Sequence, residues 1–229
     1  MSLLESLARR IIDCSLCPRL SRYRIDVAKK YPGESFWSRP VPGYGDPMAR
    51  IFAVGLAPAA RGGNRTGRVF TGDESSNNLM RALYDAGFAD QPRSISRDDG
   101  LILRDIYLTA SVKCAPPGNK PARDEVLRCM GYLVEEIKIL ERSRIFIALK
   151  QIAWQSLQLA IKRSLEATAP RYRFKHGAEH LVNTRARGPI WLMASYHPSP
   201  RNMRTGRLSH EMLLSVFKRA RELANLVMR

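Results

Sequence analysis

The sequence predicts an α/β fold, a three-layer α/β/α sandwich around a central four-stranded, mainly parallel sheet. Two observations predict it. Short apolar runs alternate along the chain with amphipathic helical segments, the pattern of parallel strands covered on both faces, and 229 residues suffice for one well-buried core. Taken in order, residues 3–12 read as a short helix, and residues 18–45 as an irregular stretch rich in Pro and aromatics. Residues 51–56 form the first strand. A helix over 75–86 follows, with Leu79, Leu83 and Ala86 on one side and Gly87 as its stop. Residues 105–110 give a second strand, and 121–140 a helix opened by Pro121. Residues 144–149 make the third strand, 152–165 a helix, 190–195 the fourth strand and 208–228 a terminal amphipathic helix; residues 171–182 read as a strand or hairpin. No repeat or linker divides the chain, so residues 1–229 are expected to form one domain.

Composition narrows the partners. Thirty-eight Lys and Arg against 21 Asp and Glu leave a net charge of +17, which points to a polyanion, and nucleic acid first. No apolar run approaches the ~18 residues of a membrane span, and the first 12 residues mix Glu5, Arg9 and Arg10 into their apolar pattern, unlike a signal peptide. A monomer in the cytoplasm, associated with the nucleoid, is the expectation.

In open parallel sheets ligands bind beyond the carboxyl ends of the strands, and three of the expected strands end in unusual sequence. Gly55-Leu56-Ala57-Pro58 follows the first, residues 111–117 (SVKCAPP) the second and Tyr196-His197-Pro198-Ser199-Pro200 the fourth. A Gly-rich run, residues 62–68, lies after the first of these but lacks the Gly-Lys-Ser/Thr ending of a P-loop. Four cysteines complete the pattern: a C-x-x-C pair at Cys14 and Cys17, then Cys114 and Cys129 far along the chain. Such a set argues for a metal site. Its spacing is not that of a zinc ribbon, whereas an iron–sulfur cluster needs only four sulfurs that converge in space; structural zinc, disulfides and free buried thiols are the alternatives.

Together these motifs identify a resemblance. C-x-x-C at Cys14 and Cys17, GLAPAA from Gly55, GNRTGRVFTGD over residues 63–73, KCAPPGNKP over residues 113–121 with Cys129 beyond, and HPSP from His197 resemble the iron–sulfur uracil-DNA glycosylases of prokaryotes, specifically the type-b branch, family 5. The motifs run in the family's order from residue 14 to residue 200. One departure stands at Arg61, where members often carry His, so no role is transferred there. The resemblance implies a [4Fe-4S] cluster held by Cys14, Cys17, Cys114 and Cys129 in an N-terminal cluster-binding segment, as a structural element, with zinc as the less favoured occupant. It also implies removal of uracil, and of other deaminated bases such as hypoxanthine and xanthine, from DNA to leave an abasic site. The alternative is a non-catalytic, metal-stapled nucleic-acid-binding module.

A glycosylase must extrude a nucleotide, hold it, and stabilise a cationic sugar and an anionic base. In other uracil glycosylases the third residue of the first motif is Asp or Asn; here it is Ala57, so the usual water-activating group is missing. Asp73 is the first carboxylate after the Gly-rich loop and the candidate to position water or face the sugar cation, although Asp before a helix is also an ordinary cap. His197, fixed by Pro198, is the candidate donor to the uracil oxygen. Asn119 offers an amide to a base edge or a water, or else caps the helix that follows. Phe70 is the candidate stacking plate, with Gly55, Ala57 and Ala59 completing the base pocket. Arg65 and Arg68 from the Gly-rich loop, with Ser199, Arg201, Asn202 and Arg204 from a DNA-penetrating loop, are the candidate DNA contacts. Lys113 and Lys120 are expected to meet phosphate and no lyase step is anticipated; His176, His180 and His210 lack comparable context.

Overall fold

The computed structural model describes residues 1–226. A six-stranded sheet runs through it: β1 (Tyr44–Gly45), β2 (Ile51–Gly55), β3 (Ile106–Ala110), β4 (Ile145–Leu149), β5 (Glu179–Thr184) and β6 (Gly188–Ser195), in the order β1-β3-β2-β4-β6-β5. The four central strands are mutually parallel, in the registers Ala53 to Leu108, Ala53 to Ile147 and Ile147 to Met193. They are the four strands expected from sequence. Each edge adds an antiparallel strand: β1 pairs with β3 at Tyr44 and Gly45, and β5 folds back on β6 as a hairpin. The hairpin occupies only the C-terminal end of the 171–182 segment and runs past it, because residues 170–178 form an irregular arm.

Strand periodicity sorts the core into two layers. Ile51, Ala53, Ile106, Leu108, Ile145 and Ile147 face one side, packed against Leu79 and Leu83 of α4 (Glu74–Asp85) and Leu213, Phe217 and Ala220 of α8 (His210–Leu226). Phe52, Val54, Phe146, Ala148, Leu192 and Ala194 face the other, against Leu133 and Ile137 of α5 (Arg123–Ile139) and Trp154, Leu157 and Ile161 of α6 (Gln151–Leu165). Both faces of each parallel strand are buried, which is why these strands read as unbroken apolar runs. Residues 227 and 228 of the expected terminal helix lie outside the described residues.

Two elements depart from expectation. Residues 18–29, read as irregular, form α2 (Pro18–Lys29), which follows α1 (Leu3–Ile12) with Pro at its first turn. Its buried stripe is Leu20, Arg24 and Val27, so a charged residue interrupts the apolar periodicity that marks a helix. The helix expected from Pro121 begins at Arg123: Ala122 is its N-cap, and the Glu125 carboxylate accepts the Ala122 backbone N–H at 2.7 Å. Asn119 is therefore no cap.

Candidate active site

Beyond the carboxyl ends of β2, β3, β4 and β6 opens a crevice of about 630 Å³. This is where the change of direction in strand order, from β2 outward to β3 and then to β4, leaves room for a ligand. It gathers residues from all three strand-end motifs: Ala57 and Ala59 after β2, Phe70 and Asp73 from the loop before α4, Asn119, and His197, Ser199, Arg201 and Asn202 after β6.

Phe70 has φ 49°, a left-handed conformation rare for an aromatic residue. It costs about 1–2 kcal/mol and holds the ring over the end of β2. A Cβ on Gly55 would lie 2.5 Å from Phe70 Cζ, so only glycine lets the ring settle there.

Asp73 is both a cap and a wall of the crevice. Its Oδ1 accepts the Ser76 backbone N–H at 2.7 Å and the Ser76 hydroxyl at 2.8 Å, fixing the start of α4. Oδ2 has no hydrogen-bond partner among the described residues and lies against Gly62, where any Cβ would collide with it. One oxygen is structural and the other is free.

His197 is positioned through its backbone. Its carbonyl accepts the Asn202 side-chain amide at 2.8 Å and the Ser199 N–H at 2.8 Å, while Asn78 of α4 donates to the Pro198 carbonyl at 3.0 Å. Ser199 caps the one-turn helix α7 (Pro200–Arg204), accepting from Asn202 N–H. The imidazole makes no hydrogen bond to the protein among the described residues. The ring retains some exposure on its crevice side but is otherwise enclosed; desolvation, reinforced by the charge of Lys150, pushes its pKa down to about 4. At neutral pH it is a neutral ring with a donor to offer. Asn119, with φ 56°, stands exposed at the crevice rim.

Several expected phosphate contacts are otherwise engaged. Arg68 is 4% exposed; its guanidinium binds Asp99 at 2.7 Å and donates to Ser94, Thr71 and the Arg97 carbonyl, so it knits the loop together and offers nothing to DNA. Lys113 is likewise corrected, being 1% exposed with its ammonium on Glu136 at 2.7 Å and Thr109 at 2.6 Å. Arg65 folds back onto the carbonyls of Arg61 and Gly72, within the helical turn α3 (Gly63–Thr66), and does not line the crevice. Arg204 is exposed and pairs with Glu74 at 3.1 Å, and Arg201 is exposed at the crevice edge.

Crevice-wall residues to which sequence reading gave no role include Lys150, Phe174, Tyr196 and Arg207. Tyr196 adjoins the HPSP motif and packs between Phe174 at 5.9 Å and the Arg207 guanidinium at 4.6 Å. Lys150 had one available signal, its place at the end of an apolar strand run. It has φ 146° and ψ 156°, a region that is essentially glycine-only and costs of order 1–3 kcal/mol for another residue.

The four cysteines line one small pocket beside the crevice, walled by Leu20, Val112 and Tyr132. Cys114 and Cys129 are buried, which pushes their thiols up to about 12 and about 11, and Cys129 Sγ accepts the Lys113 N–H at 3.2 Å. No disulfide joins them. Among the described residues no three His, Cys, Asp or Glu side chains are grouped closely enough for a single metal ion. Arg24, whose charge reaches Cys114, is 6% exposed, with Nε and Nη1 buried and unpartnered.

Comparison with known proteins agrees with this layout. The family model of the uracil DNA glycosylase superfamily matches residues 42–221. The type-5 uracil-DNA glycosylase of Pyrobaculum aerophilum is 46% identical over 218 residues, covering 94% of this chain and 91% of the relative. That of Thermus thermophilus is 42% identical over 227 residues, covering 97% and 99%. A type-4 uracil-DNA glycosylase of Pyrobaculum aerophilum is 33% identical over 164 residues, covering 71% and 68%. The chain belongs to the uracil DNA glycosylase superfamily.

Proposed function

We propose that the protein hydrolyses the N-glycosidic bond of uracil in DNA, releasing the base and leaving an abasic site. The observation that carries this reading is the convergence of an unpartnered neutral imidazole, a half-free carboxylate and an aromatic ring on one crevice at the strand ends. An extruded nucleotide lays its base on Phe70. As the bond to C1′ breaks, its electron pair passes to the base. The His197 N–H donates to the carbonyl oxygen where that charge collects, an arrangement effective because the donor is already fixed and desolvated. Asp73 Oδ2 faces the cationic sugar and orients the water that adds to C1′, accepting its proton. Asn119 supplies a further amide at the rim, and Arg201 and Arg204 of α7 meet the backbone, Arg204 exchanging Glu74 for phosphate.

The range of bases follows from Ala57. A methyl group where other uracil glycosylases place Asp or Asn neither reads the base edge nor activates water, so discrimination rests on stacking and on one carbonyl contact. Hypoxanthine and xanthine carry both features and are substrates in this reading. Duplexes bearing a single uracil, hypoxanthine or xanthine, incubated with the protein and cleaved with alkali at abasic sites, test it. Scission at all three is expected; scission at uracil alone refutes the broader range, and none at all refutes the activity.

The cysteine pocket fits a [4Fe-4S] cluster held by Cys14, Cys17, Cys114 and Cys129. The four thiols line one pocket, the convergence that a four-thiolate cluster needs. The unpartnered N–H groups of Arg24 suit an anionic, sulfide-rich neighbour. Held by these four side chains, a cluster would tie the start of α2 to the loop after β3 and to α5, an anchoring role outside the base chemistry. Iron and sulfide in equal amounts, about four of each per chain, are expected on analysis, and zinc in their place refutes the assignment.

A further inference from the structure

Lys150 combines three features that each lower stability. Its backbone occupies a region suited to glycine, its side chain is half-buried, and its ammonium has no hydrogen-bond or carboxylate partner among the described residues. It sits at the junction of β4 and α6, lines the crevice, and stands near enough for its charge to act on the His197 ring. Burial lowers its own pKa below the ordinary lysine value. A glycine here would remove both the strain and the buried charge, and α6 gains no side-chain cap from the lysine. Nothing structural compensates for its presence, and strain of this kind concentrates where a side chain has a task.

We propose that Lys150 is the fixed cation of the crevice, whose charge bears on the His197 ring beside it and supports the negative charge gathering on the departing base. The inference rests on the glycosylase reading above. The other ionisable groups facing this space do not fill the role. Asp73 is an acid, Tyr196 is stacked beneath Arg207, and Arg201 and Arg207 are exposed, where water screens their charge. A cation inside a partly dry pocket acts on a developing anion far more strongly than one at the rim. It also explains how the crevice manages with Ala57: a charge that follows no base edge replaces a group that reads one.

The test compares Lys150→Met, Lys150→Arg and Lys150→Gly with the wild-type chain. Each is measured by single-turnover release of uracil from a duplex, by DNA affinity, and by NMR titration of His197. In Lys150→Met, release is expected to slow by about 10- to 100-fold with DNA affinity within about threefold, and the His197 pKa is expected to rise in part while staying below 6.5, because burial, the larger cause of its depression, remains. Lys150→Arg recovers most of the rate and keeps the ring's pKa low. Lys150→Gly is as slow as Lys150→Met yet melts at a higher temperature, which separates lost charge from lost folding. Release by Lys150→Met within twofold of wild type, an unmoved His197 titration, or a loss of affinity matching the loss of rate overturns the inference. The glycosylase reading fails separately, on the absence of release by the wild-type chain itself.

Discussion

The crevice and the cysteine pocket are built side by side from the same stretches of chain, and they treat polar groups differently. Ala57 packs toward the cysteines and lines the crevice, and the segment after β3 gives Cys114 to one and Asn119 to the other. In the crevice, His197, Lys150 and Asp73 Oδ2 are left without partners, and Phe70 and Lys150 hold strained backbones. Around the cysteines, Lys113 is paired on Glu136 and Thr109, Arg19 on Glu125, and Leu20 and Val112 fill the space. Unpartnered groups and strain lower stability and mark places that await a ligand; the crevice shows both, whereas the cysteine pocket shows unpartnered donors at Arg24, set among ion pairs that keep the loops in register. The difference shows where chemistry and anchoring divide.

The largest effect that would break this division is at His197. Replacing it with Ala should slow base release by about 10²- to 10³-fold while DNA binding, read by gel shift, persists; loss of binding in parallel would make the crevice a docking surface. Asp73→Asn sharpens the division within one residue. The amide oxygen can still cap α4, so the melting temperature should hold while release falls by about 10²-fold; a protein that merely melts earlier would reduce Asp73 to its cap. On the anchoring side, Lys113→Met leaves the Glu136 carboxylate buried without its cation and should cost about 3–5 kcal/mol in denaturant unfolding. The paired change with Glu136→Leu should recover much of that loss. Smallest is Arg204→Ala: its pair with Glu74 is solvent-exposed, worth at most about 1 kcal/mol, so stability should hardly move while DNA affinity falls and its salt dependence weakens.

The legible parts of this molecule are those in which one short stretch of sequence carries its own reason. The four parallel strands announce themselves because both faces are buried, His197 because it follows a strand end in distinctive sequence, and Phe70 and Asp73 because they fall in the Gly-rich stretch before α4. Helix α2 was hidden because its buried stripe passes through Arg24, a charged residue where the helical period calls for an apolar one. Arg68 and Lys113 read as surface cations because their partners, Asp99 and Glu136, lie 31 and 23 residues away. Only tertiary packing shows that those charges are already matched. Lys150 offered its strand-end position and nothing more, for the converse reason: a lysine after a strand looks solvated until its backbone angles and its unpartnered ammonium are seen.

The account depends most on a neutral, desolvated imidazole as the donor to the leaving base, and the pH dependence of single-turnover uracil release tests that directly. With the His197 pKa at about 4 against an ordinary 6.5, the folded ring stays unprotonated where the unfolded chain takes up a proton. Stability should therefore fall as pH drops through that window, while the release rate of the still-folded protein stays level from about pH 8 to about pH 5. A rate that instead falls by half near pH 6.5, in step with an NMR titration of His197 at the same pH, would contradict it.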